Sequence, residues 1–135
     1  MEHMLRKFRE GDADSVKELI LGILAGEYPF DRSAYYDSDL DKITQTYGGE
    51  RDAFFVIDEG SQVAGTVGIK METENSALLR RLFVDVKRRR HGYGSELIDK
   101  AIAFCKEKGY KKLYFRCTDR MSDAIKLCMR RGFRE

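Results

Sequence analysis

An α/β domain is the fold class this sequence predicts, and three observations carry that expectation. Apolar stripes at helical spacing alternate with short β-rich runs, and the elements follow the order strand, helix, helix, three strands, helix, strand, helix. One apolar run, Leu82-Phe83-Val84, also passes into a helical pattern through a turn holding Gly92 and Gly94. At 135 residues the chain is expected to be a single domain over residues 1–135, long enough for one core and not for two.

Met1-Glu2-His3 before Met4 reads as an expression remnant and is given no structural weight. Leu5 to Arg9 alternates apolar and charged residues as a short strand does, and Gly11-Asp12 supplies a turn and a helix cap. Val16, Leu19, Ile20, Ile23 and Leu24 fall on one helical face, which predicts a helix over Ala13 to Ala25 closed by Gly26. Glu27 to Asp39, with the single proline and three tyrosines, is expected to be irregular, before a short helix around Leu40, Ile43 and Tyr47. Ala53 to Asp58 and Gln62 to Lys70 form a hairpin through Glu59-Gly60-Ser61, and Ala77 to Val86 is a third strand. Leu97, Ile98, Ala101, Ile102 and Cys105 mark the next helix, ended by Gly109. Lys112 to Cys117 is a further strand, and Asp123 to Arg131 a last helix capped by Ser122 or Asp123.

Composition narrows the function classes. A formal net charge of +2 gives no strong field for nucleic acid, and the basic run Lys87 to Arg90 is short and lacks interleaved aromatics. Cys105, Cys117 and Cys128 are odd in number and form no metal-like pair, so reduced thiols in a cytoplasmic protein are the simplest reading. No apolar stretch reaches membrane-spanning length, and no signal-peptide pattern is present.

The chemistry gathers at Arg89-Arg90-His91-Gly92-Tyr93-Gly94-Ser95. A strand that turns sharply into a helix leaves the first amides of that helix without intrahelical partners, and the helix dipole adds positive charge there. Without a Cβ at Gly92 and Gly94, a diphosphate can approach the backbone closely. No Lys-Ser or Lys-Thr follows the second glycine, which argues against a nucleotide P-loop. Leu97 stands where a dinucleotide fingerprint wants a third small residue, and the loop comes late in the chain.

With its flanks, this loop resembles the central motif of the GNAT superfamily of acyl-CoA-dependent N-acyltransferases, Gln or Arg, two residues, Gly, one residue, Gly or Ala, filled here by Arg89, Gly92 and Gly94. A second match lies at Ala124-Ile125-Lys126-Leu127-Cys128-Met129-Arg130-Arg131-Gly132-Phe133, similar to the family's Ala-Ile-x-Leu-Tyr-x-x-x-Gly-Phe segment. The likeness covers Leu5 to Phe133. It implies a mixed central sheet with helices on both faces and splayed parallel strands at an acyl-CoA site. It also implies two further strands after Gly-Phe, so a chain stopping at Glu135 is expected to be a truncated domain or one completed by a neighbour through homodimer formation or strand exchange.

The resemblance further implies acetyl-CoA as co-substrate, no metal, and an amine-bearing acceptor. Polyamine, amino acid, antibiotic, peptide N-terminus and protein lysine all remain open as acceptors. Leu82, Phe83 and Val84 would hold the pantetheine arm through main-chain groups, with partners near Tyr114 to Cys117. A backbone N–H at Phe83 or Val84 would polarise the thioester, a contribution on the order of 3 kcal/mol. Arg89, Arg90, His91, Gly92, Tyr93, Gly94 and Ser95 would carry the pyrophosphate, with charge from Lys87, Arg88 and Arg90. His91 should point outward. Cys128 replaces the family's tyrosine; its thiol could protonate the departing thiolate or simply pack under the helix. Met121 stands where asparagine is common. Arg80 and Arg81 occupy the region where some members keep a basic glutamate. Glu27, Tyr28, Asp31, Tyr35 and Tyr36 resemble the variable acceptor wall, where Glu27 could take the amine's proton through water. The expected activity is therefore N-acetyl transfer by direct attack, and the alternative is a non-catalytic acyl-CoA-binding or regulatory domain.

Overall fold

A computed structural model of the chain describes residues 3–27, 42–60 and 62–115. Five strands form one sheet in the order β1-β2-β3-β4-β5: β1 (Met4–Lys7), β2 (Ala53–Asp58), β3 (Val63–Met71), β4 (Ser76–Val84) and β5 (Lys112–Phe115). Strands β1 to β4 pair antiparallel with one another in succession, whereas β4 and β5 run parallel. Helix α1 (Ala13–Glu27) and the short α2 (Ile43–Thr46) cover one face, and α3 (Tyr93–Glu107) covers the other. Strand β2 shows why its sequence is a continuous apolar run. Phe55 and Ile57 enter the core under α3, while Phe54 and Val56 enter the one under α1, so both faces are buried. On α3 the stripe Leu97, Ile98 and Ala101 is wholly buried, and Phe104 meets Phe55 edge-on at 5.9 Å.

Several element boundaries differ from expectation. Strand β1 ends at Lys7 rather than Arg9, although Phe8 still donates its amide to the Phe54 carbonyl at 2.8 Å. Gly26 does not close α1, which continues to Glu27. Strand β4 ends at Val84, and Val86 opens a 3-10 turn, Val86–Arg88, capped by the Asp85 carboxylate on the Lys87 amide. The helix expected around Leu40 begins at Ile43, and Leu40 lies outside the described residues. So do Cys117 and the last predicted helix, Asp123 to Arg131.

Asp12 caps a 3-10 turn, Glu10–Asp12, rather than α1. Its carboxylate accepts the Arg9 amide at 2.8 Å and the Arg6 guanidinium at 2.7 and 2.8 Å, and Arg6 also reaches Asp58 at 3.0 Å. One arginine thereby joins β1, β2 and the entrance to α1. The Arg6 guanidinium holds the Asp12 carboxyl below the usual aspartate value. A carboxyl whose value is lowered on folding adds stability that is whole above its unfolded value and fades as the pH falls through the folded one. Thermal melting followed down through pH 4 should therefore drop more steeply for the wild-type chain than for Asp12→Asn, which starts less stable at neutral pH.

A bulge interrupts β4. Phe83 faces Thr66 and Arg80 faces Gly68, so Arg81 and Leu82 together oppose Val67. Arg81 adopts a left-handed φ of 52°. Its displaced carbonyl accepts the hydroxyl of the fully buried Thr66 at 2.8 Å. Thr66→Val keeps the shape and removes that donor, and should cost about 1–2 kcal/mol in denaturant unfolding.

Candidate functional site

The bulge and the ladder decide what the end of β4 presents. Asp85 donates its amide to Ala64 of β3 at 2.8 Å, and Val84 lies opposite Gly65. Hydrogen-bonded and non-bonded pairs alternate along an antiparallel ladder, so the Phe83–Thr66 pair is bonded and Val84 is not. Since N–H and C=O point oppositely across a trans peptide, the Val84 amide, the Val84 carbonyl and the Leu82 carbonyl all face away from β3. The Phe83 amide points into the sheet. Of the two amides expected to polarise an acyl group, the one at Val84 therefore faces away from β3 and the one at Phe83 faces the ladder, and the Phe83 side chain is buried in the core under α1.

The described pairing of β4 with β5 runs from Ser76 opposite Lys112 to Leu79 opposite Phe115. It therefore ends before Leu82 and Val84.

Beyond Val84 the chain makes the 3-10 turn and the loop. Arg90 takes φ 69° and Gly92 takes φ 82°, two left-handed residues within three positions. The first bond back along α3 is Glu96 N–H to the Gly92 carbonyl at 3.0 Å. Tyr93, Gly94 and Ser95 therefore offer amides ahead of the intrahelical ladder, and no side chain among the described residues caps them. A Cβ placed on Gly92 would meet no atom within 4 Å, so open space adjoins this helix start. Partial positive charge, amides that no described side chain caps, and room are what an anion requires.

Individual side chains depart from their expected roles. Arg89 bends back, and its Nε donates to the Val84 carbonyl at 3.3 Å, tying the loop to the strand end. Arg88, expected to add charge for phosphates, instead pairs with Glu59 at 2.8 and 3.0 Å. Tyr93 is buried, and its hydroxyl donates to Glu59 at 2.6 Å, so its backbone alone faces the site. That hydroxyl and then Arg88 hold the Glu59 carboxyl below the usual glutamate value. Arg90 and His91 are exposed, and Ser95 lies on the first turn of α3. His3, given no weight from sequence, packs its ring 4.6 Å from Tyr93 and meets Glu96 at 2.8 Å.

Glu59 is the residue the sequence reading missed. It sits in a hairpin turn, where an acid reads as solvated surface.

Glu27 is the last residue of α1, while Tyr28, Asp31, Tyr35, Tyr36, Met121, Ser122, Asp123 and Cys128 lie outside the described residues. A cleft of about 190 Å³ opens between the Glu10–Asp12 turn and α2, lined by Phe8, Lys42 and Thr44 among others, and it shares no residue with the loop from Arg89 to Ser95. Lys70 fixes that side of the sheet to α2, donating to the Thr46 carbonyl at 2.7 Å and to Asp52 at 3.0 Å. Among the described residues no group of three or more His, Cys, Asp or Glu side chains could hold a metal ion, and no helix is long and apolar enough to cross a membrane.

A mixed α/β sheet whose fourth strand bulges, ends, and feeds a glycine-entered helix frames this loop. The chain belongs to the acetyltransferase (GNAT) family, whose model matches residues 17–133. It is similar to an acetyltransferase of the GNAT family from Staphylococcus aureus Mu50, 26% identical over 99% of this chain and 85% of that one, with a TM-score of 0.90. An acetyltransferase from Streptococcus agalactiae 2603 shares the fold at 15% identity, with a TM-score of 0.89 over 98% of this chain and 83% of that one. The PaiA N-acetyltransferase from Thermoplasma acidophilum, in complex with coenzyme A, does so at 19% identity, with a TM-score of 0.82 over 99% and 91%. No curated protein sequence matches.

Proposed function

We propose that this protein is an acetyl-CoA-dependent N-acetyltransferase acting on an amine by direct attack. The observation that carries the reading is the start of α3, where no side chain among the described residues caps the amides of Tyr93, Gly94 and Ser95 beyond the end of β4. There they would receive the coenzyme's pyrophosphate, with Arg90 and Lys87 adding charge and Arg89 bracing the loop. The outward Val84 amide supplies a donor to the acyl arm. The coenzyme A complex of the Thermoplasma protein, which shares the fold, supports the same partner here.

The acceptor nitrogen adds to the thioester carbonyl carbon, the C–S bond breaks, one amine proton is lost, and the thiolate gains a proton. Glu27 is the proposed proton acceptor, through water, and Cys128 the proposed donor to the thiolate. Unchanged kinetics in Glu27→Gln with the true acceptor, or full turnover in Cys128→Ala across the pH range, would remove the respective role.

Free-thiol release from acetyl-CoA against a panel of polyamines, amino acids, aminoglycosides and lysine peptides tests the activity. Amine-dependent release supports it, and absence of coenzyme A binding in calorimetry overturns it. Tight binding with no release on any amine would favour the non-catalytic acyl-CoA-binding domain, the reading that cysteine rather than tyrosine at position 128 suggests.

A further inference from the structure

Glu59 lies in the turn between β2 and β3, and neither the hairpin nor acyl transfer calls for a buried acid there. Its side chain is only 6% exposed. It receives Arg88 Nε through both oxygens and the Tyr93 hydroxyl at 2.6 Å. Arg88 closes the 3-10 turn before the loop, and Tyr93 opens α3 after it. The two contacts therefore bracket Arg89 to Gly92, the stretch that contains the left-handed Arg90 and Gly92. A loop with two such residues has many cheaper shapes when its ends are free, and pinning both ends to one carboxylate from another element removes most of them.

We propose that Glu59 is a positioning residue, holding the phosphate-binding loop in its ligand-ready shape by fixing Arg88 and Tyr93 together. The proposal rests on the acyl-CoA reading given above. Arg88, engaged with an acid, then serves the loop by its position rather than as a charge for phosphate. Organisation before binding shows up as affinity, because the ordering cost is met on folding and not on ligand capture.

The test is calorimetric titration of coenzyme A into the full chain, with steady-state kinetics beside it. Glu59→Gln is expected to raise the Kd for coenzyme A and the KM for acetyl-CoA about tenfold. The kcat at saturating acetyl-CoA and the acceptor's KM should stay as in wild type, a split that a general loss of folded protein would not give. Tyr93→Phe, which removes one hydroxyl and keeps the ring, should weaken coenzyme A roughly threefold. Added to Glu59→Gln it should do nothing more, since the hydroxyl acts on the loop only through the Glu59 carboxylate. A folded Glu59→Gln that binds coenzyme A like wild type overturns the proposal. If that variant does not fold, an unchanged Kd in Tyr93→Phe overturns it instead. Wild-type protein that takes up no coenzyme A defeats the acyl-CoA reading itself, a result distinct from wild type and variant binding equally well.

Discussion

Gly92→Val should weaken coenzyme A binding about 100-fold or more, equivalent to roughly 2.7 kcal/mol. Two effects add. The residue sits at φ 82°, where a β-branched side chain is strained, and loop distortion should cost about 1–2 kcal/mol. The new side chain would also project into the open space beside the uncapped amides, where the pyrophosphate is proposed to lie. Gly92→Ala carries the strain with far less bulk, so its binding loss should be clearly smaller. Comparing the two in calorimetry, with melting temperatures alongside, separates backbone strain from blockage. A valine variant that binds within tenfold of wild type would place the phosphate elsewhere.

Arg6→Met should lower the unfolding free energy by about 3 kcal/mol at neutral pH, measured by urea denaturation. The side chains of Arg6, Asp12 and Asp58 are 15%, 11% and 22% exposed, so removing the guanidinium leaves two largely buried carboxylates facing each other unpaired. That penalty exceeds the loss of an exposed ion pair, which is typically below about 1 kcal/mol. Adding Asp12→Asn and Asp58→Asn to Arg6→Met should restore part of the loss, because the charges being stranded are then gone. Their hydrogen-bonding capacity towards the Arg9 and Gly60 amides is retained by the asparagine oxygens.

The parts of this structure that are legible in the sequence are those written in local patterns. The continuous run Ala53 to Asp58 marks a strand buried on both faces, and its observed limits agree with the expectation. The stripe from Leu97 to Cys105 marks the face of α3 that packs on the sheet. Gly92 announces the left-handed turn into α3 because few other residues tolerate that backbone. What is not legible depends on meetings across the fold. Arg6 looks like the outward residue of an alternating strand, yet its partner Asp58 is 52 positions away. Glu59 and Tyr93 are separated by 34 positions, and nothing near either hints at the other. Which of the Phe83 and Val84 amides leaves the sheet follows from the ladder's register, since residue type carries no information about which way an amide points. The β4 bulge left a faint trace, in the apolar spacing of Ala77, Leu79 and Leu82, where one step is three residues instead of two.

That irregular step leaves the sidedness of the strand intact. Leu82 lies under α3 together with Ala77 and Leu79, and Phe83 lies under α1, as they would in a regular strand from which Arg81 had been deleted. The extra residue moves no buried side chain to the other face of the sheet, and it adds the carbonyl that meets the buried Thr66 hydroxyl. The strand's outer rim is thereby reshaped without any repacking of the residues behind it.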